Sequence, residues 1–437
     1  MFKLILTVLL EFQTWRFLHK HKPKIVAVVG SVGKTSTKVF TATVLSERYR
    51  VSVQKGSYNT HMGVPLAIFG IQAPAKNLRD PLAWFRILRE IETRIKRPKN
   101  DKLGYDVLVL ELGTDRPGDI KRFKRYIKAD IGVVTSVAAE HMANFKTIDA
   151  VAKEELSLAN FSKLLLVNRD EVDASYASLL QTTNIDTYGI SGIAEYHYLI
   201  EDFSLDKGFS GKFVSPEFGE QATNLHLVGE HNINAAVAAG AIGIKLGLSD
   251  QQVAAGLGKI KPVAGRMRLM RGLLDSFLID DTYNSSPISA IAALQTLYGL
   301  SAKQKIVILG SMNELGTFSE EAHKTVGAEC DPSLLDWVVT VGLEAQSYLA
   351  PAAAGRGCQV RSFRSPYDAG AFVHSVLQAG AVVLVKGSQN GVFTEEALKV
   401  LLHSTEEEGQ LVRQDPHWLA IKRNLFEKIK SPGEKLP

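Results

Sequence analysis

Residues 24–36 read KIVAVVGSVGKTS, and this stretch decides the fold. Lys24 to Val29 is a continuous apolar, β-branched run of strand length, long enough for a strand buried on both faces. It stops at Gly30, and the pattern from Lys34 to Ser46 is helical. Between them lies Gly30-Ser31-Val32-Gly33-Lys34-Thr35-Ser36. At such a strand-to-helix junction, backbone N–H groups and a helix N-terminus can cradle phosphate. Lys34 would neutralise the β- and γ-phosphates and the Thr35 hydroxyl would reach Mg²⁺. The spacing is shorter than the general phosphate-loop form, because position 28 is Val rather than Gly. Gly-Lys-Thr also occurs in plain turns, but the strand–loop–helix context selects a bound nucleoside triphosphate. Such a loop does not by itself separate a GTPase, a kinase and a ligase.

Outward from the loop, the runs at 105–110, 131–135 and 164–167 read as further buried strands separated by helical patterns. That alternation predicts a parallel sheet wrapped by helices. Leu82, Phe85, Leu88, Ile91 and Ile95 recur at helical spacing and predict an amphipathic helix over 80–97. Residues 186–228 change character: short strands joined by Gly-containing turns predict an antiparallel insertion. Helical patterning returns at 231–258, and Lys261-Pro262 with Gly265 marks a linker. Past it, strand-like runs at 277–280, 305–309, 337–341 and 381–385 predict a second, smaller α/β unit. The expected division is an N-terminal helix over 1–22, a phosphate-loop domain over 23–260 and a Rossmann-like α/β domain over 261–437.

The 437 residues can bury more than one core, and 45% apolar with 22% charged residues is a globular composition. The charge is 51 − 46 = +5, too small an excess to argue for nucleic acid. The two cysteines, Cys330 and Cys358, exclude a disulfide scaffold and a four-Cys zinc site and suit a reducing cytoplasm. Phe2 to Phe12 is the most apolar stretch, but Glu11 interrupts it near half of the about 20 residues needed to span a bilayer. No small-residue cleavage site follows it. It reads as a helix packed on the domain that starts at Lys24. The other reading is a helix resting on a membrane surface, with Arg16, Lys20 and Lys22 near anionic lipid.

The shortened loop followed by Lys55-Gly-Ser-Tyr-Asn59-Thr-His-Met-Gly63-Val-Pro65 resembles the Mur ligase superfamily, ATP-dependent amide ligases of peptidoglycan precursor synthesis. Further segments fall in that family's order: Glu111-Leu-Gly with Pro117-Gly-Asp-Ile, Thr135 to His141, and Val151-Ala-Lys153-Glu-Glu. They continue with His231-Asn232, Gly265-Arg266, Asp280-Asp281-Thr-Tyr-Asn284-Ser-Ser-Pro287, Leu309 to Gly316 and Val385-Lys-Gly-Ser388. The set is most similar to the branch that adds D-alanyl-D-alanine to UDP-MurNAc-tripeptide.

From the residues alone, Glu111 ends a buried strand beside the loop, where a carboxylate can hold Mg²⁺, or it is a solvated loop acid. By themselves His141 reads as a satisfied surface or core histidine, and Lys153 as a solvated helix lysine pairing with Glu154 or a nearby acid. The resemblance implies more. Lys34, Glu111, His141 and Lys153 become catalytic, and Thr35, Glu111, His141 and Lys153 hold two Mg²⁺ ions, Lys153 as its carbamate. Gly30 to Ser36 with Asn232, Arg266, Asp281 and Asn284 contact ATP. The implied protein is a cytoplasmic, monomeric ligase of UDP-MurNAc-peptide and D-Ala-D-Ala.

The pattern departs from the family in three ways. Only 29 residues precede Gly30, where the family's enzyme usually carries a domain that holds the UDP-sugar. Either the UDP group is held differently, a partner supplies that surface, or the carboxylate substrate differs. Asn234 follows Asn232 one residue closer than usual, and Gln389-Asn390 stands where an arginine is common. The alternatives are a related ligase of the poly-glutamate or folate type and a phosphate-loop nucleotide switch.

Overall fold

The 24–29 run forms the third strand of a nine-stranded sheet. The structure, a computed structural model, describes residues 2–54, 58–74, 80–97, 105–180 and 184–430. By its internal contacts the chain divides into two units. One comprises the chain to His226 with His231–Lys261, and the other comprises Leu227–Glu230 with the chain from Pro262.

In the first unit the strands are β1 (Lys24–Val29), β2 (Val51–Val53), β3 (Val107–Glu111), β4 (Ala129–Val134) and β5 (Ser162–Asn168). They are followed by β6 (Ile185–Gly189), β7 (Tyr196–Ser204), β8 (Gly208–Ser215) and β9 (Gly219–Leu225). The sheet order is β2-β3-β1-β4-β5-β6-β7-β8-β9. Pairing is parallel from β2 to β7 and antiparallel through β8 and β9. The expected antiparallel insertion over 186–228 is thus antiparallel in β7, β8 and β9 and joins the main sheet through the parallel β6–β7 pair. Only its last two hairpins, β7 with β8 and β8 with β9, reverse direction. β1 lies between β3 and β4, so the strand order switches direction there. In open α/β sheets the crevice at the carboxyl ends beside such a switch is where ligands collect.

The helices Phe2–His21 and Pro81–Lys96 pack into one core cluster with β1 and β3. The helix Pro81–Lys96 is capped by Asp80, whose carboxylate accepts from Leu82 N and Ala83 N. Its buried side chains are Trp84, Ile91 and Ile95, while Leu82 and Phe85 stand 70% and 63% exposed. The inward stripe is thus 84, 88, 91 and 95, and the expected stripe of Leu82 and Phe85 lies on the flank. The helix Phe2–His21 packs Leu6, Leu10 and Phe17 inward, Phe17 meeting the Phe69 ring edge-on at 5.0 Å. Glu11, on its inner side, accepts from Arg122 Nε at 2.7 Å. No described helix is long and apolar enough to cross a membrane.

The second unit holds β10 (Arg268–Arg271), β11 (Phe277–Asp281), β12 (Lys305–Gly310), β13 (Trp337–Val341), β14 (Val360–Phe363) and β15 (Val382–Lys386), in the order β10-β11-β15-β12-β13-β14. All pairs but β10 with β11 are parallel. The carboxyl ends of β11 and β15 bring Asp281 opposite Lys386 in register. Both units match the expected architecture, a phosphate-loop domain with a parallel-dominated sheet and a smaller Rossmann-like α/β domain.

Candidate active site

Gly30 and Gly33 hold φ of 127° and 87°, backbone that favours glycine. A Cβ on Gly30 would also strike Thr135 Oγ1 and lie 2.8 Å from Ser136 N. The loop can take this path because the end of β4 buttresses it. Ser31 N donates to Ser136 O at 3.1 Å, Val32 N to Ser136 Oγ at 2.7 Å, and Thr135 Oγ1 to Val32 O at 2.6 Å. Ser31 Oγ accepts from Ala138 N at 2.9 Å. The helix Lys34–Leu45 then starts with Gly33 at its N-cap, and Ser36 is buried in its first turn. The structure places Gly30, Ser31, Val32, Gly33, Lys34, Thr35 and Ser36, the residues expected to cradle phosphate, together at this strand-to-helix junction. The Lys34 ammonium donates to Gly30 O and, at 3.2 Å, to Ser31 O, with Glu140 Oε2 at 3.7 Å.

Glu111, at the end of β3, is buried beside this helix. Its Oε2 accepts from Thr35 Oγ1 at 3.1 Å and lies 3.0 Å from Lys38 Nζ, while Oε1 accepts from Asn59 Nδ2 at 3.3 Å. Gln54 Oε1 accepts from the Glu111 N–H at 2.8 Å. Residues 55–57 of the segment ending at Pro65 lie outside the described residues. A carboxylate and a hydroxyl side by side form a hard-oxygen donor pair of the kind Mg²⁺ takes, so these residues fit the expected ion.

The other two expected ligands are placed differently. His141 caps the short helix Met142–Phe145, with Nε2 at 3.7 Å from Asp115 Oδ1. Lys153, on the helix Ile148–Glu155, has an exposed side chain. Among the described residues no group of three or more His, Cys, Asp and Glu is arranged to hold a metal ion. Of the expected four, only Glu111 and His141 are of those types, and lysine becomes an oxygen ligand only after carbamylation.

Three acids that the sequence reading gave no role line this region. Glu154 accepts from Gly118 N at 2.7 Å and Ile120 N at 2.6 Å, fixing the Pro117–Ile120 turn. Glu155 Oε2 accepts from Gly30 N at 2.9 Å. Burial pushes the Glu155 carboxyl up to about 8, opposed by Lys34 and reinforced by Glu140, and burial likewise raises Glu140. The only signal was their adjacency to Lys153 and His141. Lys38 was equally unmarked, although its place four residues after Lys34 puts it on the same helix face.

Asn232 is buried in the helix Glu230–Lys245. In the second unit, Asp281 Oδ2 lies 2.6 Å from Lys386 Nζ, both buried, and the same ammonium donates to Asn284 O at 3.1 Å. Asp281 Oδ1 accepts from Met267 N at 3.3 Å, and the Arg266 guanidinium lies 4.4 Å over the Tyr283 ring. The structure therefore gathers Arg266, Asp281 and Asn284 at one strand end, together with Lys386. Its neighbour Ser388 accepts from Asn313 N at 3.2 Å. His323 accepts from Met312 N at 2.9 Å and so holds the loop after β12, another role the sequence did not reveal.

Two family models match: the Mur ligase middle domain over residues 88–243, and the glutamate ligase domain of Mur ligases over 265–389. The UDP-N-acetylmuramoyl-tripeptide–D-alanyl-D-alanine ligase of Bacillus subtilis is 28% identical over 394 residues, 89% of this chain and 78% of that protein. The crystal structure of MurF from Acinetobacter baumannii superposes with a TM-score of 0.72 at 21% identity, covering 96% of this chain and 80% of that one. MurF ligase from Thermotoga maritima in complex with ADP gives 0.70 at 21% identity, over 90% and 83%. At that identity the two structures speak for the fold.

Proposed function

Because the chain belongs to the Mur ligase superfamily, we propose that it is an ATP-dependent carboxylate–amine ligase that adds D-alanyl-D-alanine to UDP-MurNAc-tripeptide. The observation that carries this reading is the Thr35–Glu111 pair, 3.1 Å apart beside the glycine-strained loop. It puts hard-oxygen donors next to a phosphate cradle, on a chain that matches Mur ligase models in both units. The relative named for this reaction, in Bacillus subtilis, supports the choice of substrates.

In the first step a carboxylate oxygen of the tripeptide attacks the γ-phosphorus, the bond to the β,γ-bridging oxygen breaks, and ADP leaves. In the second the dipeptide amine attacks the acyl carbon and loses a proton, and the C–O bond breaks to release phosphate. The chain's contribution is positioning and charge. The loop amides and the helix start orient the phosphates, and Lys34, held over the loop carbonyls, offers the charge that offsets the transferring phosphoryl. Mg²⁺ bound by Thr35 and Glu111, with His141 and a Lys153 carbamate at a second ion, would neutralise phosphate oxygens. Arg266, Asp281 and Asn284 are assigned to the nucleotide. The same reading has the ligase act as a cytoplasmic monomer on small substrates.

The test is phosphate release from ATP and Mg²⁺ with UDP-MurNAc-tripeptide, D-Ala-D-Ala, or both. Release that needs both, with a product heavier by the dipeptide less water, supports the reading. Release with a folate or poly-glutamate acceptor and glutamate instead would replace it with the related ligase class.

A further inference from the structure

The N-terminal helix is apolar on both its packed and its open side. Its inner side carries Thr7, Glu11 and Thr14 among the buried apolar residues. The two hydroxyls bond back to Lys3 O and Leu10 O, and Glu11 is paired with Arg122. Its outer side is an unbroken apolar surface. Ile5, Val8, Leu9, Phe12 and Trp15 are each 42–54% exposed, and they recur at spacings of three and four. Phe12, Trp15 and His19 stack along it, with ring centroids 6.0 and 5.4 Å apart. A scattered exposed leucine needs no explanation, but a contiguous apolar helix face does.

Beside this face opens a cavity of about 350 Å³ bordered by Trp15 and Tyr126 and by six cations, Lys22, Lys24, Lys124, Arg125, Lys128 and Lys163. Its one carboxylate, Asp130, is occupied by Lys163 Nζ at 2.6 Å and Ile25 N at 2.8 Å. Val8, Glu11, Phe12, Trp15, Arg125 and Tyr126 border a second hollow against the same helix, where Glu11 Oε2 lies 4.0 Å from Arg125, so apolar face and basic cavity are continuous.

We propose that this surface docks the protein on an anionic phospholipid bilayer, the apolar face entering the acyl boundary and a headgroup phosphate seated among the cations. The charge complementarity selects the occupant. An apolar stripe with an aromatic belt and adjoining lysines fits an interface that is apolar within and negative at its surface. A second copy of the chain would set one cationic cavity near another across a symmetric contact, which like charge disfavours. The helix lies on the membrane and does not cross it, in keeping with its composition, which includes Lys3, Glu11, Arg16 and Lys20. The inference stands on these residues and does not rest on the ligase reading.

The experiment is sedimentation of the full chain with phosphatidylcholine vesicles, with and without phosphatidylglycerol, and with quenching of Trp15 by brominated acyl chains. Binding is expected only to the anionic vesicles. It should weaken roughly fivefold for each cation removed at Lys22, Lys124 and Lys128. Phe12→Asp with Trp15→Asp should abolish it, with the melting temperature and nucleotide binding unchanged. Absence of binding to anionic vesicles overturns the proposal, as does binding that the two aspartates leave intact. A concentration-dependent dimer abolished by those aspartates would give the face to a second copy and overturn it too.

Discussion

Glu155 Oε2 accepts a hydrogen bond from the Gly30 N–H at 2.9 Å, so the last residue of the Ile148–Glu155 helix grips the first amide of the phosphate loop. Gly30 needs positive φ and closes on Thr135 and Ser136, so the loop's start is fixed from two sides. Lys153 stands two residues earlier on that helix. Any change at Lys153 is therefore mechanically close to the cradle, even though its side chain points to solvent.

Removing the Glu155 grip should loosen the loop. Glu155→Ala leaves the Gly30 N–H buried without its acceptor, at a cost of about 1–3 kcal/mol, and it should weaken nucleotide binding by more than tenfold. Glu155→Gln keeps an oxygen acceptor and should retain most of both. Thermal melts and nucleotide titrations of the two variants check this. Equal loss in both would mean that charge matters here and the hydrogen bond does not.

Much of this arrangement was legible in the sequence. The phosphate loop, Glu111 and the strand alternation depend on short-range pattern, which survives folding unchanged. The Thr35–Glu111 pair joins residues 76 apart; the residue pattern puts Glu111 at a strand end beside the loop, and only the family resemblance implies that it shares an ion with Thr35. What could not be read was choice among equivalent positions. Nothing distinguishes Glu154 and Glu155 from solvated helix acids until the helix is docked. Leu82 and Phe85 fit the helical period as well as Trp84 does, and packing alone decides which stripe turns inward. The open face of the N-terminal helix was hidden for the same reason. Both of its sides are apolar, so periodicity could not tell the packed face from the open one.

Lys153 gives a prediction on which stability and activity separate. Its side chain is exposed, so Lys153→Ala should change unfolding free energy by no more than about 0.5 kcal/mol. If Lys153 carries a carbamate in the working ligase, the same variant should lose most of its phosphate release. High bicarbonate with a short-chain carboxylic acid should restore part of it by lending the missing oxygens. Undiminished turnover would remove Lys153 from the mechanism.

His323 sets a pH dependence in the second unit. It is buried and accepts from Met312 N, while Nδ1 lies 2.7 Å from Ser319 O. Burial lowers its pKa, the Ser319 carbonyl opposing in part. The unfolded chain then binds a proton that the folded chain does not, so this contribution is present above the ordinary histidine value of about 6.5 and fades as pH falls below it. Urea midpoints should drop between about pH 7 and pH 5. In His323→Gln, less stable overall, that part of the slope should be missing. A parallel slope in the variant would assign the acid sensitivity to other groups.

The Asp281–Lys386 pair is the sharpest stability test, because both partners are buried and the ammonium reaches two acceptors, Asp281 Oδ2 at 2.6 Å and Asn284 O at 3.1 Å. Burial pulls the Lys386 pKa down while Asp281 holds it up, so the charge depends on its partner. Lys386→Met strands a buried carboxylate and should cost about 3–5 kcal/mol. Asp281→Asn strands the ammonium and should cost a similar amount. The double variant leaves no uncompensated charge and should recover a large part of the summed loss, a coupling that a double-mutant cycle in urea would measure directly. Additive losses would mean that the two side chains are held by their other contacts, Met267 N on Asp281 and Asn284 O on Lys386, and that the ion pair between β11 and β15 contributes little.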